Sequence, residues 1–270
     1  MPSFAMHYVA ALLLPFSSSQ VEAARQPTER WVVNFADSQC IASRNYGTDK
    51  NPLLLVLKAT PLGDMMQLVI MRQGIGGDPI QAGATLTIDN QPRLPISILD
   101  YQPKKAGLRI YRMNLPAIEF EPLSRAKSIA IWSPGLSERF ALSNMAPLLK
   151  TMDKCLAGLR SVWNITDSSG DQSKLRVRAK ATLAKFFNNR DYPAVAIDKN
   201  QSGIVTFALL VDQTGKVADC TIIETSGAAA LDAQSCNVLE QRATFTPAVG
   251  IDGKPAKDAV IARVRWVIRR

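Results

Sequence analysis

The sequence predicts an α+β protein: a β-rich N-terminal domain with a closing helix, followed by a small unit ordered α-ββ-α-β. Three observations carry this prediction. Short apolar or alternating runs recur between residues 31 and 132, each bounded by turn-formers. A polar stretch, "NITDSSGDQSK" (164–174), interrupts the chain. Beyond it, helical and strand patterns alternate. With 270 residues, 47% of them hydrophobic, the chain can bury one large core or two smaller ones.

In chain order, residues 1–23 come first. "FAMHYVAALLLPF" (4–16) is apolar, Ser17–Gln20 is polar, and "VEA" (21–23) offers small residues at a cleavage site. This pattern predicts a secretory signal peptide cut after Ala23, although no Lys or Arg lies near Met1. The run would cover roughly 20 Å as a helix, against about 30 Å of hydrocarbon. Periplasmic export is the expectation, with an uncleaved inner-membrane anchor as the alternative. Cleavage would remove His7, the only histidine. The mature chain would then have no Ser-His-Asp triad, Cys-His pair, HExxH zinc site or histidine acid–base.

Residues 31–160 form the β-rich domain, for which no family is recognised. Seven strands are read: "WVVNF" (31–35), "PLLLVLKA" (52–59), "MQLVIM" (66–71), "ATLTID" (84–89), "LPISIL" (94–99), "LRIYRM" (108–113) and "SIAIW" (128–132). They predict a sandwich or a rolled antiparallel sheet. "MAPLLKTMDKCLAGL" (145–159) follows as the closing helix, with Leu148, Leu149, Met152 and Cys155 near one face. Residues 161–174 are read as the linker.

The C-terminal unit, 175–270, opens with "KLRVRAKATLAKFFNNR" (174–190), read as a helix. Strands at 203–211 and 216–225 and a helix at 228–242 come next. "TPAVGIDGKPAKD" is a loop, and "AVIARVRWVIRR" is the last strand. Four cysteines in an exported chain, none in a CxxC pair, suit two disulfides. "DKNQSG" (198–203) begins like a calcium loop, but Leu209 stands where a bidentate Glu belongs, so it is a turn. "GIGGDP" (74–79) has Pro79 in place of the third glycine of a dinucleotide fingerprint. Acidic residues are dispersed, so no catalytic residue, metal site or cofactor is proposed. The net charge of +9 is scattered without a long basic run, which suits a solvated surface or an anionic envelope surface. Alternation of Arg263, Arg265 and Arg269 with Val264, Trp266 and Ile268 suits a half-solvated edge strand, not a nucleic-acid face.

An ordered set of residues within 191–270 carries a family resemblance. Tyr192–Pro193 opens a short helix, and Gly203 begins "GIVTFALLVDQTGKV". Ser226–Gly227 and Leu231–Asp232 open the second helix. Arg242, Phe245, Pro247 and Ala248 form an "R-x-x-F-x-P-A" exit before Gly253 and a Val-rich final strand. Residues 191–270 resemble the C-terminal domain of TonB, the periplasmic energy transducer of Gram-negative bacteria. A full transducer of that family has an inner-membrane anchor and a long Pro-rich spacer; here a globular β domain stands in the spacer's place. Ser3 and His7 have the four-residue spacing of the family's motor-contacting pair but sit at the start of the apolar run.

The resemblance implies a binding protein, not an enzyme, in which a receptor's extended segment pairs with the sheet edge. The implied edge is the last strand, with Val260, Ala262, Arg263, Val264, Arg265, Trp266 and Ile268 as its binding residues. The implied partner is an outer-membrane TonB-dependent receptor or another envelope protein, in energy-dependent transport across the envelope; a homodimer is a further candidate. A structural envelope scaffold using the same fold is the alternative, and a secreted enzyme ranks below it. Within the resembling unit, Cys220 shares a strand face with Ala218 and Ile222, and Cys236 lies close to Leu239's face of the helix. A Cys220–Cys236 bridge would staple the two, leaving Cys40 and Cys155 to bridge the first domain.

Overall fold

The computed structural model describes residues 23–62, 65–74, 77–102, 107–166 and 174–268. The expected signal segment, apart from Ala23, lies outside them. The N-terminal part is one nine-stranded antiparallel sheet built from β1 (Val32–Phe35), β2 (Cys40–Asn45), β3 (Leu53–Ala59), β4 (Met65–Gln73), β5 (Ile80–Ile88), β6 (Leu94–Tyr101), β7 (Leu108–Pro116), β8 (Ser128–Ser133) and β9 (Leu136–Ala141). Their order is β1-β2-β3-β4-β7-β6-β5-β8-β9. The sheet curls around a single core, so the rolled form, and not the sandwich, is the one adopted.

Seven strands were expected and nine are found. The two missed, β2 and β9, each point one charge inward: Arg44 is 8% exposed and Glu138 6%. An inward charge breaks the apolar alternation on which strand reading depends. Arg44 is satisfied by the Glu29 carbonyl (2.9 Å) and Ser143 Oγ (2.9 Å). Glu138 is paired with Arg25 and faces Arg72 at 3.6 Å.

The curl is fastened by the chain's first described residues. The Arg25 amide donates to Arg139 O (2.8 Å) and its carbonyl accepts from Ala141 N (2.9 Å), a parallel bridge to β9. Three residues on, Thr28 N donates to Asn45 O (3.0 Å) on β2, so this segment joins the two ends of the sheet. Tyr46, buried beside Phe140, donates its hydroxyl to Ala141 O (2.7 Å) across the same seam. Burial pushes that phenol up to about 12 against the opposing pull of Arg44, so it stays a donor at any physiological pH. Helix α1 (Phe120–Arg125) and α2 (Met145–Val162) complete the unit. α2 buries Met145, Leu148, Leu149, Met152 and Leu159 in the core, and the Cys40–Cys155 disulfide ties it to β2. Trp163 and Ile165, just past the helix, are buried in the same core.

The C-terminal part differs from expectation at its start. Residues 174–190 are not a helix. They form β10 (Leu175–Val177) and 3-10 turns at Leu183–Phe186 and Asn189–Asp191. Leu175 and Val177 pair with Gly250 and Val249, and Lys180 exchanges backbone bonds with Thr246. Tertiary pairing has overridden a run of good helix formers. The following elements are α3 (Ala194–Asp198), β11 (Gly203–Val211), β12 (Val217–Glu224), α4 (Ala229–Arg242), β13 (Ala248–Gly250), β14 (Pro255–Ala256) and β15 (Asp258–Trp266). The short β13–β14 hairpin occupies what was read as a loop. β12, β11 and β15 make the main sheet, with β11 central. At the β11–β12 turn Gly215 has φ +84°, and a Cβ there would run into the Phe245 carbonyl. Only glycine suits both conditions.

Both faces of this three-stranded sheet are used. Val205, Phe207, Leu209 and Val211 of β11 face α4 and form a second core with Leu231, Leu239 and Phe245. The opposite face presents Ala208, Leu210 and Ala259 to the core of the curled sheet, with Ile223 packed against it. Lys58–Asp219 (3.0 Å) and Asn164 Nδ2 to Lys257 O (2.8 Å) bond the two units together.

Candidate functional site

β15 is an edge strand. It pairs antiparallel with β11 from Asp258↔Val211 to Trp266↔Gly203, and with no other strand among the described residues. Its first residue is locked. The Asp258 carboxylate has no solvent exposure and accepts from Arg178 Nε (3.1 and 3.0 Å) and Ala179 N (2.6 Å). Arg178 also donates to Ala259 O (2.7 Å) on the side away from β11. Because a residue's N–H and C=O share one side of an antiparallel strand, the two-residue repeat turns those of Ile261, Arg263 and Arg265 to the open side as well. From Ile261 onward the edge carries a row of main-chain donors and acceptors that the sheet does not use.

The side chains follow the same repeat. Val260, Ala262 and Val264 pack partly buried on the second core, and Trp266 is buried at 6%. Trp266 is held by a hydrogen bond from its Nε1 to Ser235 Oγ (2.9 Å) and by edge-on contacts with Phe187 (5.4 Å) and Tyr192 (5.3 Å). Ile261, Arg263 and Arg265 are exposed on the other face, and neither guanidinium has a carboxylate partner among the described residues. Beside the open edge lies a recess of about 610 Å³, lined by Phe187, Tyr192, Ile197, Val264 and Trp266 among others. The edge therefore offers main-chain bonds in its plane, an apolar recess to one side and positive charge to the other.

The scaffold beneath is stiff. Cys220 on β12 is bridged to Cys236 on α4. The Ser226–Gly227 corner is fixed by Asp232, which accepts from Ser226 N (2.9 Å), Ser226 Oγ (2.7 Å) and Thr225 Oγ1 (2.5 Å). The neighbouring β12 edge is differently placed, because Asn114 of the curled sheet reaches its Ile222 carbonyl (3.4 Å).

Residues 188–268 match the family model described as Gram-negative bacterial TonB protein C-terminal. This unit is a TonB C-terminal domain. The match spans the α3-β11-β12-α4 order, the Ser-Gly corner, the short β13–β14 hairpin and the edge strand. No curated protein and no solved structure matches the chain. The family is a binding and energy-transducing domain of the Gram-negative envelope, which gives the chain a TonB-like envelope role at that coarse level.

All seven strand residues named from the sequence lie on or just past β15 of the TonB C-terminal domain, Ile268 beyond its last paired residue. Sequence reasoning missed the other wall. Phe187 was assigned to a helix, Tyr192 was named only as the opening of a short helix, and Ile197 was not singled out. Arg178 and Asp258, which lock the strand's start, were also missed; they are 80 residues apart in sequence. Among the described residues, no group of three His, Cys, Asp or Glu side chains gathers to hold a metal, and no helix is long and apolar enough to cross a membrane.

Proposed function

We propose that this protein binds an extended segment of an envelope protein by adding it as a strand to the open edge of β15, in the periplasm. The observation that carries this reading is the free edge from Ile261 to Arg265, open on the side away from β11. Main-chain bonds would supply affinity, while the aromatic recess and the two arginines select side chains. A strand laid there alternates its side chains between the two faces, so the matching segment alternates apolar with acidic or polar residues. The N-terminal segment of an outer-membrane receptor is the partner that the family implies, with transport across the envelope as the process served.

The test is photo-crosslinking in the native envelope from position 261, combined with two variants. Arg263→Pro removes one amide on the open side, whereas a proline at Val264 would break the ladder with β11. Arg263→Glu with Arg265→Glu reverses the field and keeps every amide. Loss of the crosslink in the folded Pro variant and at least a tenfold weakening in the charge reversal are expected. Crosslinking unchanged in both would remove β15 as the interface. A scaffold role is the second reading, favoured by the rigid attachment of the TonB C-terminal domain to the curled sheet through Ala208, Leu210 and Ala259.

A further inference from the structure

The outer surface of the curled sheet has a second feature, unconnected with β15. β5, β8 and β9 run side by side, and their register places Thr85, Trp132 and Ser137 in one cross-strand row. Thr87, Ala130 and Arg139 form the next row. Arg93, after the β5 turn, borders the same hollow of about 450 Å³. Trp132 is 59% exposed. The other three indoles donate their N–H groups to Ser143 O, Asp37 O and Ser235 Oγ; that of Trp132 has no partner among the described residues. Arg93 and Arg139 form no ion pair with a described carboxylate, and the hydroxyls of Thr85, Thr87 and Ser137 make no hydrogen bond to described protein groups.

We propose that this face binds an anionic saccharide. An exposed indole offers a flat apolar platform with a polar edge, which suits the C–H face of a pyranose ring. Free hydroxyls on either side can both donate and accept, as sugar hydroxyls require. Rows two residues apart are separated by about 6.8 Å, so a ring over Trp132 places its acidic substituent, or that of the next sugar, at Arg139 and Arg93. Guanidinium groups bind carboxylate and phosphate in a forked geometry. A peptide fits this face less well. β8 lies between β5 and β9 and has no open side, and the outer edge of β9, the last strand of the sheet, is already bonded in part by Arg25 at Arg139 O and Ala141 N, which leaves little edge here for strand addition.

Isothermal titration of the mature chain tests this. The probe is a tetrasaccharide of alternating glucuronate and N-acetylglucosamine, with the neutral N-acetylglucosamine tetramer as reference. A phosphorylated maltotetraose asks whether phosphate serves as well as carboxylate. At least one anionic probe should bind several-fold more tightly than the neutral one. Trp132→Ala, at an exposed position that leaves the core intact, should lose at least tenfold. Arg93→Gln with Arg139→Gln should reduce the anionic probe to the neutral probe's affinity. Absence of binding by both anionic probes at millimolar concentration overturns the proposal, as does affinity unchanged by Trp132→Ala. Binding of an Asp/Glu hexapeptide that depends on Trp132 and displaces the sugar would reassign the face to peptides. None of these readouts depends on the β15 edge.

Discussion

At Asp258 a carboxylate without solvent exposure depends on donors from a segment 80 residues away. Removing one partner of such a pair strands a buried charge, which costs about 3–5 kcal/mol when the pair is fully enclosed. Arg178 is 46% exposed on its side chain, and Ala179 N would remain, so Arg178→Ala should cost toward the lower end of that range. Urea unfolding measures it. Asp212, in the β11–β12 turn, illustrates a different balance. Burial pushes its carboxyl up, but hydrogen bonds from Thr214 Oγ1 (2.6 Å) and from the amides of Lys216 (3.0 Å) and Thr214 (2.8 Å), with Lys257 nearby, hold it below the ordinary aspartate range. A depressed carboxyl stabilises the fold above the unfolded-state value, and the gain is lost as pH falls toward the folded-state value. Asp212→Asn should therefore lower the melting temperature at pH 7. The gap to the natural protein should narrow from about pH 5 downward, which melting curves at stepped pH would show.

Among the elements, the two disulfides differ most in the loops that they close. Cys220–Cys236 spans 16 residues and Cys40–Cys155 spans 115. In the chain-entropy account these correspond to about 3 and about 5 kcal/mol. Serine replacement of each pair should reduce stability in that order, by chemical denaturation under non-reducing conditions. Strands whose inward residues are all apolar, such as β3 and the middle of β4, were legible in the sequence, and so was β15. β2 and β9 were not, because Arg44 and Glu138 point inward and find partners that only the folded sheet supplies. The 174–190 segment reads as a helix because its Ala, Leu, Lys and Arg residues favour one, yet its backbone bonds go to Val249, Gly250 and Thr246. The proposed binding edge was visible as a terminal alternating strand. Its aromatic wall was hidden within that misread segment and the residues after it, and the Trp132 face exists only through the register of β5, β8 and β9.

For the whole molecule, the three-stranded sheet of the TonB C-terminal domain has no face left entirely to water. Ala208, Leu210, Ala259 and Ile223 lie against the curled sheet, and the Lys58–Asp219 pair and the Asn164–Lys257 bond secure the contact. Residues 174–270 alone would expose that apolar patch. Calorimetry should show one transition for the intact chain, with the isolated C-terminal piece melting lower or aggregating. Two independent transitions in the intact chain would contradict this. The fastening of Arg25 to β9 has a mechanical consequence. If the chain were held through the apolar run that ends at Phe16, only residues 17–24, at most roughly 28 Å at full extension, would separate the attachment point from the folded body. A body of this length measures about 45 Å across. Such a molecule could not pay out line toward a distant receptor; its edge strand would sweep only a shell as deep as the body plus that short tether, and a partner segment would have to come the rest of the way.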